Sequence, residues 1–272
     1  AIAPDRATGN QAARRSRTAR PRMFRLPADQ GLINRMGFNS VGMDVVAQRM
    51  ATRPLSLPVG INIGKNRDTE LARATDDYVA AFSRLAPHAD YVAINISSPN
   101  TPGLRQLHET HALHELLSAL HAANQWQRPL FLKISPDETP AQVAQVVETA
   151  LQTGIAGIIA TNTTVSRPDT LRSPFAQETG GLSGAPLRDA SLETLRHVAR
   201  ITAGQVPIIS VGGISTAADV YARLHAGASL VQLYTAMIYY GPAIAAHLSW
   251  ALAGLLRRDG VSDIRQVIGA AR

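Results

Sequence analysis

The sequence predicts an α/β protein of the (β/α)8 TIM-type barrel class, in which parallel strands alternate with helices. Three observations lead to this prediction. Short apolar, β-branched runs alternate with helical stretches from residue 55 onward. These runs are apolar along their whole length, as in strands that are covered on both faces. Polar residues stand at or just after the end of each run, where a barrel gathers its active site.

The alternation defines strand–helix units in chain order. The predicted strands are residues 58–63, 91–96, 129–134, 157–160, 207–211 and 230–233. The predicted helices are residues 69–86, 107–124, 140–153, 190–203, 216–226 and 241–257. Because parallel strands need long crossover connections, these helices complete βαβ units.

A doubly wound sheet shares this signature, but the polar residues at the strand ends favour a barrel. A doubly wound sheet concentrates its site at one switch point, whereas a barrel collects residues from all its strands. The strand-end residues are Asn62, Asn95, Lys133, Asn162, Gly213 and Thr235. A barrel closes with eight strands, and residues 1–54 contain no apolar β-branched run. We therefore expect the first two βα units to be missing.

Composition divides the chain into a basic leader, residues 1–19, and a barrel domain, residues 20–272. Residues 1–25 carry seven Arg and one Asp, which accounts for nearly all of the net charge of +7. The basicity therefore does not predict a nucleic-acid groove on the domain. The leader is expected to be disordered or foreign sequence, with a transit peptide as the alternative.

No apolar run approaches the ~20 residues of a membrane span. The absence of Cys excludes disulfides, a thiolate nucleophile and Cys-ligated metals.

The segment Asn95–Arg105 carries the strongest functional signal. It follows an apolar strand and places amides, hydroxyls and an Arg where the strand ends. Pro99, Pro102 and Gly103 restrict its backbone, which is typical of a site that is held rigid. The alternative is a polar turn that only starts the next helix.

Two glycine-rich segments, residues 180–184 and 211–215, are predicted to be turns before helices. Glycine lets backbone amides approach a ligand closely, and a helix N-terminus favours negative charge, so both segments suit a phosphate. Tyr234 and Thr235 follow the last strand, and in barrels the last two strands frequently build a phosphate site. The alternative is that these glycines only make tight turns.

The remaining strand-end residues suit a planar polar ring. Amides donate and accept hydrogen bonds at once, which fits a pyrimidine or a flavin. Lys133 ends an apolar strand, so it needs an anionic partner and could stabilise a reduced flavin. His108, His111 and His114 recur at a three-residue spacing, which we interpret as a solvated helix face, so we predict no metal site.

These motifs resemble the dihydroorotate dehydrogenase family, in its quinone-dependent class. The resemblance covers about residues 20–257. It is carried by residues 21–26 (PRMFRL), 33–39 (INRMGFN), 62–66 (NIGKN), 95–105, 161–164 (TNTT), 180–184 and 232–235 (QLYT). It implies oxidation of (S)-dihydroorotate to orotate in pyrimidine (UMP) synthesis, with FMN as cofactor and a membrane quinone as electron acceptor.

The resemblance also assigns roles. Ser98 resembles the catalytic base, and Thr101, near Phe38, resembles the relay that passes its proton on. The residues that resemble the substrate-binding set are Asn34, Asn95, Asn100, Asn162 and Thr163. The residues that resemble the family's flavin-ring contacts are Asn62, Asn95, Lys133 and Thr161. Those that resemble its contacts to the flavin phosphate are Gly184, Gly213, Tyr234 and Thr235.

The sequence departs from the family at its beginning. The family has two more βα units before the segment at residues 21–26, and apolar helices that form a quinone tunnel and touch the membrane. The family pattern implies a peripheral protein on the cytoplasmic side of the inner membrane, whereas this chain alone is expected to be cytoplasmic. The alternatives are a non-catalytic fragment of the enzyme and another FMN- or phosphate-binding barrel.

Overall fold

The computed structural model describes residues 20–52, 57–66, 68–100 and 104–271. The predicted leader, residues 1–19, lies outside them. Within these ranges the strands are β1 (Met23–Leu26), β2 (Gly31–Asn34), β3 (Gly60–Ile63), β4 (Tyr91–Asn95), β5 (Leu130–Ile134), β6 (Gly157–Ala160), β7 (Gly181–Gly184), β8 (Ile208–Val211) and β9 (Leu230–Gln232). The helices are α1 (Met43–Ala51), α2 (Ala74–Leu85), α3 (Thr110–Ala123), α4 (Pro140–Gln152), α5 (Arg188–Thr202), α6 (Ala217–His225), α7 (Thr235–Tyr240) and α8 (Ile244–Arg258).

Six strands form one parallel sheet in the order β3-β4-β5-β6-β8-β9. Sequential strands are neighbours and helices connect them, which is the architecture of a TIM-type α/β barrel. All six predicted strands are confirmed within two residues. The expectation that the first two βα units are missing is not tested by these strands and stays a prediction.

The core lies on both faces of this sheet. On the concave face, Ala93, Ile159 and Ile209 pack together, with Phe131 against them. They come from four neighbouring strands and form one layer of side chains inside the curved sheet. The larger core lies between the convex face and helices α1 to α5. Burial on both faces explains why these strands are apolar along their length.

Two of the connecting helices begin at a side-chain cap. Thr139 Oγ1 accepts a hydrogen bond from the backbone N of Gln142 at 3.3 Å. The backbone N of Thr139 in turn donates to Gln142 Oε1 at 2.9 Å, and α4 begins at the next residue, Pro140. Thr216 and Asp219 make the same reciprocal pair at the start of α6. Each box satisfies donors that the first helical turn leaves free, so these helix starts are encoded locally.

A second sheet was not predicted. Strands β1, β2 and β7 form an antiparallel sheet in that order. The prediction that residues 180–184 form a turn is wrong, because Gly181–Gly184 pair with β2 as a strand. Gly184 has a φ of +90°, and a Cβ there would lie 2.3 Å from the backbone oxygen of Gln30. These strands have four residues each, too few for a recognisable alternation.

The last parallel strand also differs from expectation. Leu230 in β9 is 60% exposed, although we predicted strands covered on both faces. Among the described residues β9 pairs only with β8, so the other edge of β9 has no strand beside it. In the described part of the chain, no helix has both the length and the apolarity needed to cross a bilayer.

Candidate active site

The carboxyl ends of the parallel strands and the antiparallel sheet enclose a cavity of about 350 Å³. It is the size of a small-molecule site. Every predicted site residue that the structure describes lines this cavity. They are Asn34, Phe38, Asn62, Asn95, Ser98, Asn100, Lys133, Thr161, Asn162, Thr163, Gly184, Gly213, Tyr234 and Thr235. Thr101 lies outside the described residues.

The floor of the cavity is a set of locked amides. Asn95 ends β4, and its Oδ1 accepts from the Nδ2 of Asn162 at 3.1 Å. Ser97 donates to the same oxygen from its backbone N at 3.3 Å, and the Tyr78 hydroxyl holds the Asn95 carbonyl at 2.8 Å. Because these bonds occupy Oδ1, the Nδ2 group of Asn95 is left to donate to a ligand.

The wall opposite the strand ends comes from the antiparallel sheet. Asn34 ends β2, and its backbone oxygen accepts from the Nδ2 of Asn100 at 3.2 Å. Its own Nδ2 donates to the carbonyl of Gly181 at 3.4 Å. These contacts link residues that are 66 and 147 positions apart. The second sheet therefore places Asn34 beside the loop that carries Ser98.

Ser98 lies on the loop after β4 and is 7% exposed. Its Oγ accepts from the backbone N of Asn100 at 3.3 Å, so its own hydroxyl hydrogen is available to a ligand. A buried hydroxyl with one fixed partner is well positioned for proton transfer.

The loop that carries Ser98 is anchored by a residue whose role was not predicted. Arg105 Nη2 contacts Asp137 Oδ2 at 2.8 Å, and both side chains are mostly buried. Asp137 also accepts from the Thr164 hydroxyl and from the backbone N of Val165 at 3.0 Å. This network joins the loops after β4, β5 and β6. In the sequence, this network was indicated only by one basic and one acidic residue that follow two neighbouring strands at a short distance.

One side of the cavity has polar groups without partners. Burial lowers the pKa of the Lys133 ammonium from its usual value. Among the described residues, no carboxylate lies within ion-pair distance of Lys133. The Oδ1 of Asn62 is buried and has no hydrogen-bond partner. Because buried polar atoms are nearly always paired, this side suits a ligand that presents both donors and acceptors.

The other end of the cavity is made of backbone. Gly184 and Gly213 have φ values of +90° and +69°, and a Cβ at Gly213 would lie 2.4 Å from the Cα of Arg188. Thr235 donates to Ser183 Oγ at 2.9 Å, and Tyr234 is 74% exposed at the rim. Exposed N–H groups at such turns bind anions.

The interpretation of the three histidines as a solvated face is wrong for His108. His111 and His114 are exposed on α3, but His108 precedes that helix and is 8% exposed. Its Nδ1 lies 3.0 Å from Glu138 Oε1, so a carboxylate on another loop draws it inward. No cluster of three or more potential metal ligands occurs in the ranges that the structure covers.

Comparisons with known proteins identify the family of this chain. The family model for dihydroorotate dehydrogenase matches residues 7–256. The dihydroorotate dehydrogenase (quinone) of Roseiflexus castenholzii is 56% identical over 253 residues, which is 92% of this chain and 69% of the relative. The protein of the same description from Halobacterium salinarum is 48% identical over 99% of this chain and 74% of the relative.

Solved structures give the same result. The crystal structure of DHODH from Eimeria tenella in complex with ferulenol has a TM-score of 0.89 and 38% identity, over 99% of this chain and 77% of that one. The ligand-free structure from the same organism has a TM-score of 0.90 and 37% identity, over 99% and 80%. The resemblance inferred from the motifs is confirmed: the chain belongs to the dihydroorotate dehydrogenase family.

Proposed function

We propose that this protein oxidises (S)-dihydroorotate to orotate with a quinone as the final electron acceptor, a step of de novo pyrimidine synthesis. One observation supports this function above all others. The amides of Asn95 and Asn162, the hydroxyl of Ser98 and the glycine-lined end open into the same cavity. A ring-binding floor and an anion-binding end in one cavity suit a pyrimidine next to a flavin nucleotide.

Dihydroorotate dehydrogenases are flavoenzymes, and the proposed cofactor here is FMN. The residues proposed to hold its ring are Asn62, Asn95, Lys133 and Thr161. Those proposed to hold its phosphate are Gly184, Gly213, Tyr234 and Thr235. The fit is supported by the unpartnered Oδ1 of Asn62 and by the positive-φ glycines. When bound, FMN supplies the acceptor for the hydride that the substrate loses.

The proposed substrate site lies on the amide floor. Asn34, Asn95, Asn100 and Asn162 offer donors and acceptors to the ring and carboxylate, with the Thr163 hydroxyl beside them. Asn162 Oδ1 accepts from the backbone N of Thr163 at 2.8 Å, which fixes the direction of this amide. Side chains that are locked before binding lose little entropy on binding, so the floor selects a ring by its hydrogen-bonding edge.

Ser98 is the proposed base. Its Oγ takes the proton from C5 of dihydroorotate while C6 loses a hydride, and the ring gains a double bond. A Ser hydroxyl is a weak base and must release its own proton as it accepts one. Thr101 is the proposed relay for that proton. Phe38 lines the same cavity, and its apolar ring is proposed to limit the access of water.

The quinone is the proposed second partner. Quinone-dependent dihydroorotate dehydrogenases are membrane-associated, and we place this protein peripherally on the cytoplasmic side of the inner membrane. Met23 and Tyr240 line the cavity, and about half of each side chain is exposed. These apolar groups at the rim suit an apolar acceptor. Residues 20–272 are proposed as the catalytic domain.

The test is spectroscopic and enzymatic. The purified chain is expected to show flavin absorbance that survives gel filtration, and to form orotate from dihydroorotate when a short-chain ubiquinone is supplied. Nucleic acid should bind no more tightly than to an unrelated protein of equal charge. A folded protein that binds no added FMN would contradict the proposal. A protein that binds FMN but leaves dihydroorotate unchanged would restrict it to another substrate.

A further inference from the structure

Arg223 is a buried guanidinium directly beneath the glycine-lined end of the cavity. It lies on α6 and is 1% exposed. All of its hydrogen bonds go to neutral oxygens. They are Ser210 Oγ at 3.3 Å, Ser191 Oγ at 2.8 Å, Arg188 O at 2.7 Å and Gly212 O at 2.9 Å. The sequence pattern did not single out this residue, because an Arg near the end of an amphipathic helix is usually solvated.

The charge of Arg223 has no carboxylate in contact with it. Among the described residues, no Asp or Glu oxygen lies within ion-pair distance of its guanidinium. Asp219, one turn earlier on α6, is paired with Arg188 at 3.1 Å. Asp219 and Asp189 act on Arg223 only from a distance, and the cations Arg188 and Arg196 oppose them. A buried guanidinium without a carboxylate in contact is costly to a fold unless another group or a ligand offsets its charge.

The hydrogen bond to Gly212 connects this charge to the cavity. Arg223 Nη2 donates to the carbonyl oxygen of Gly212 at 2.9 Å. The Gly212–Gly213 peptide is trans, so the N–H of Gly213 points away from the guanidinium. Gly213 lines the cavity, and within the described ranges its N–H has no acceptor. The peptide dipole therefore directs its positive end towards the cavity, and the cation behind it strengthens that potential.

A second hydrogen bond of Arg223 links two elements at this end of the cavity. The carbonyl of Arg188, the first residue of α5, also accepts from Arg223. A Cβ on Gly213 would lie only 2.4 Å from the Cα of Arg188, so the backbone of Arg188 lies directly against this glycine. Arg223 thus ties the start of α5 to the turn after β8, and the two elements keep a fixed distance at the end of the cavity.

We propose that Arg223 is a positioning residue for a phosphate group. It holds the Gly212–Gly213 peptide with its N–H towards the cavity, and it supplies the positive charge that a phosphate dianion balances. The inference rests on the proposed FMN function, because the phosphate is that of FMN. It predicts a specific dependence: Arg223 matters for the phosphate of the ligand and not for the ring.

The test compares FMN with riboflavin, which has the same ring and no phosphate. Flavin-free protein is titrated with each compound, and the quenching of flavin fluorescence gives both dissociation constants. In Arg223→Met and Arg223→Gln, the ratio of FMN affinity to riboflavin affinity is expected to fall by about tenfold or more, because a charge-assisted contribution to phosphate binding is lost. Gln keeps N–H donors without charge. Arg223→Lys keeps the charge and should retain a ratio within about threefold of the wild type.

Arg128→Met is the matched control. Among the described residues, the Arg128 guanidinium likewise donates to neutral oxygens, the backbone carbonyls of Ala86 at 3.0 Å and Pro87 at 3.3 Å, but Arg128 precedes β5 at the opposite end of the sheet. Its loss should leave the ratio unchanged. If Arg223→Met does not fold, the Gln and Lys variants carry the comparison. The inference is overturned if Arg223→Met and Arg223→Gln keep the wild-type ratio of FMN affinity to riboflavin affinity. It is also overturned if Arg223→Lys lowers that ratio as much as the uncharged variants do. A wild type that binds neither flavin overturns the proposed function itself.

Discussion

The side-chain amide of Asn162 donates to the Oδ1 of Asn95 at 3.1 Å, across the end of the strand that lies between them. Asn95 ends β4 and Asn162 follows β6, so the bond spans β5 and Lys133. It fixes the direction of two amides at once. A floor that is rigid before a ligand arrives can discriminate by hydrogen bonds alone, because a mismatched ligand leaves buried groups unpaired.

Replacing Asn162 with Ala should therefore weaken substrate binding. The variant removes a donor to Asn95 and leaves a buried oxygen with fewer partners, at a cost of about 1–3 kcal/mol. We expect the KM for dihydroorotate to rise by roughly 5- to 100-fold, with FMN still bound. Steady-state kinetics measure the effect. Asn124→Ala is the control, since within the described ranges the Asn124 side chain bonds only the backbone of Arg128, outside the cavity. A similar rise in KM in this variant would contradict the prediction.

Ser98→Ala should abolish most turnover without loss of the flavin. A positioned base contributes about 10²- to 10⁴-fold to proton transfer, and Ala offers no acceptor. The rate of flavin bleaching after mixing with dihydroorotate, followed by stopped flow, reports this step alone. The exposed Ser118, whose hydroxyl bonds His114 at 3.5 Å on α3, provides the control variant Ser118→Ala. Wild-type bleaching in Ser98→Ala would mean that another group takes the proton.

The ion pair between Arg105 and Asp137 should matter for catalysis more than for folding. We expect Arg105→Met to lower kcat by about tenfold, because a small displacement of a catalytic loop costs that much. Asp137→Asn should lower kcat by a similar factor. The double variant should have a kcat no lower than either single variant, because all three variants lose the same ion pair. The surface pair of Arg84 with Asp44, at 2.6 Å, gives the control Arg84→Met. Additive losses in the double variant would show that the two residues act separately.

Lys133 and Lys65 should respond oppositely to the same substitution. Lys133→Met removes a partly buried cation without a carboxylate partner and should stabilise the flavin-free protein by about 1–2 kcal/mol. Lys65 is buried, but it donates to the backbone oxygens of Asn66 and Thr69. Lys65→Met should therefore destabilise by about 1–3 kcal/mol. Denaturant unfolding measures both changes, and equal signs would contradict the comparison.

The gain in Lys133→Met should depend on pH. The pKa of Lys133 is lowered in the folded protein by burial, so the unfolded chain binds the proton more tightly. The wild type therefore gains stability as pH rises from that lowered pKa towards the unfolded value of about 10.4, and the difference between variant and wild type shrinks over this window. A difference that grows with pH would show that the lysine has an unrecognised anionic partner.

The parallel strands could be predicted from the sequence because their signal is local. A strand that is buried on both faces is apolar throughout, and the run of residues 157–160 gives the observed bounds of β6. The candidate site was predictable for a related reason: the carboxyl ends of parallel strands share one rim, so a polar residue after each strand reaches the same cavity.

The sequence by itself determined the family, the six parallel strands and the residues that face the cavity. Only the tertiary structure decided that β7 is a strand, that His108 is drawn inward by Glu138, and that Arg223 lies buried beneath Gly212. These features depend on partners in other elements. Propensity and periodicity are properties of neighbouring residues, whereas burial and pairing are set by segments that meet only after folding.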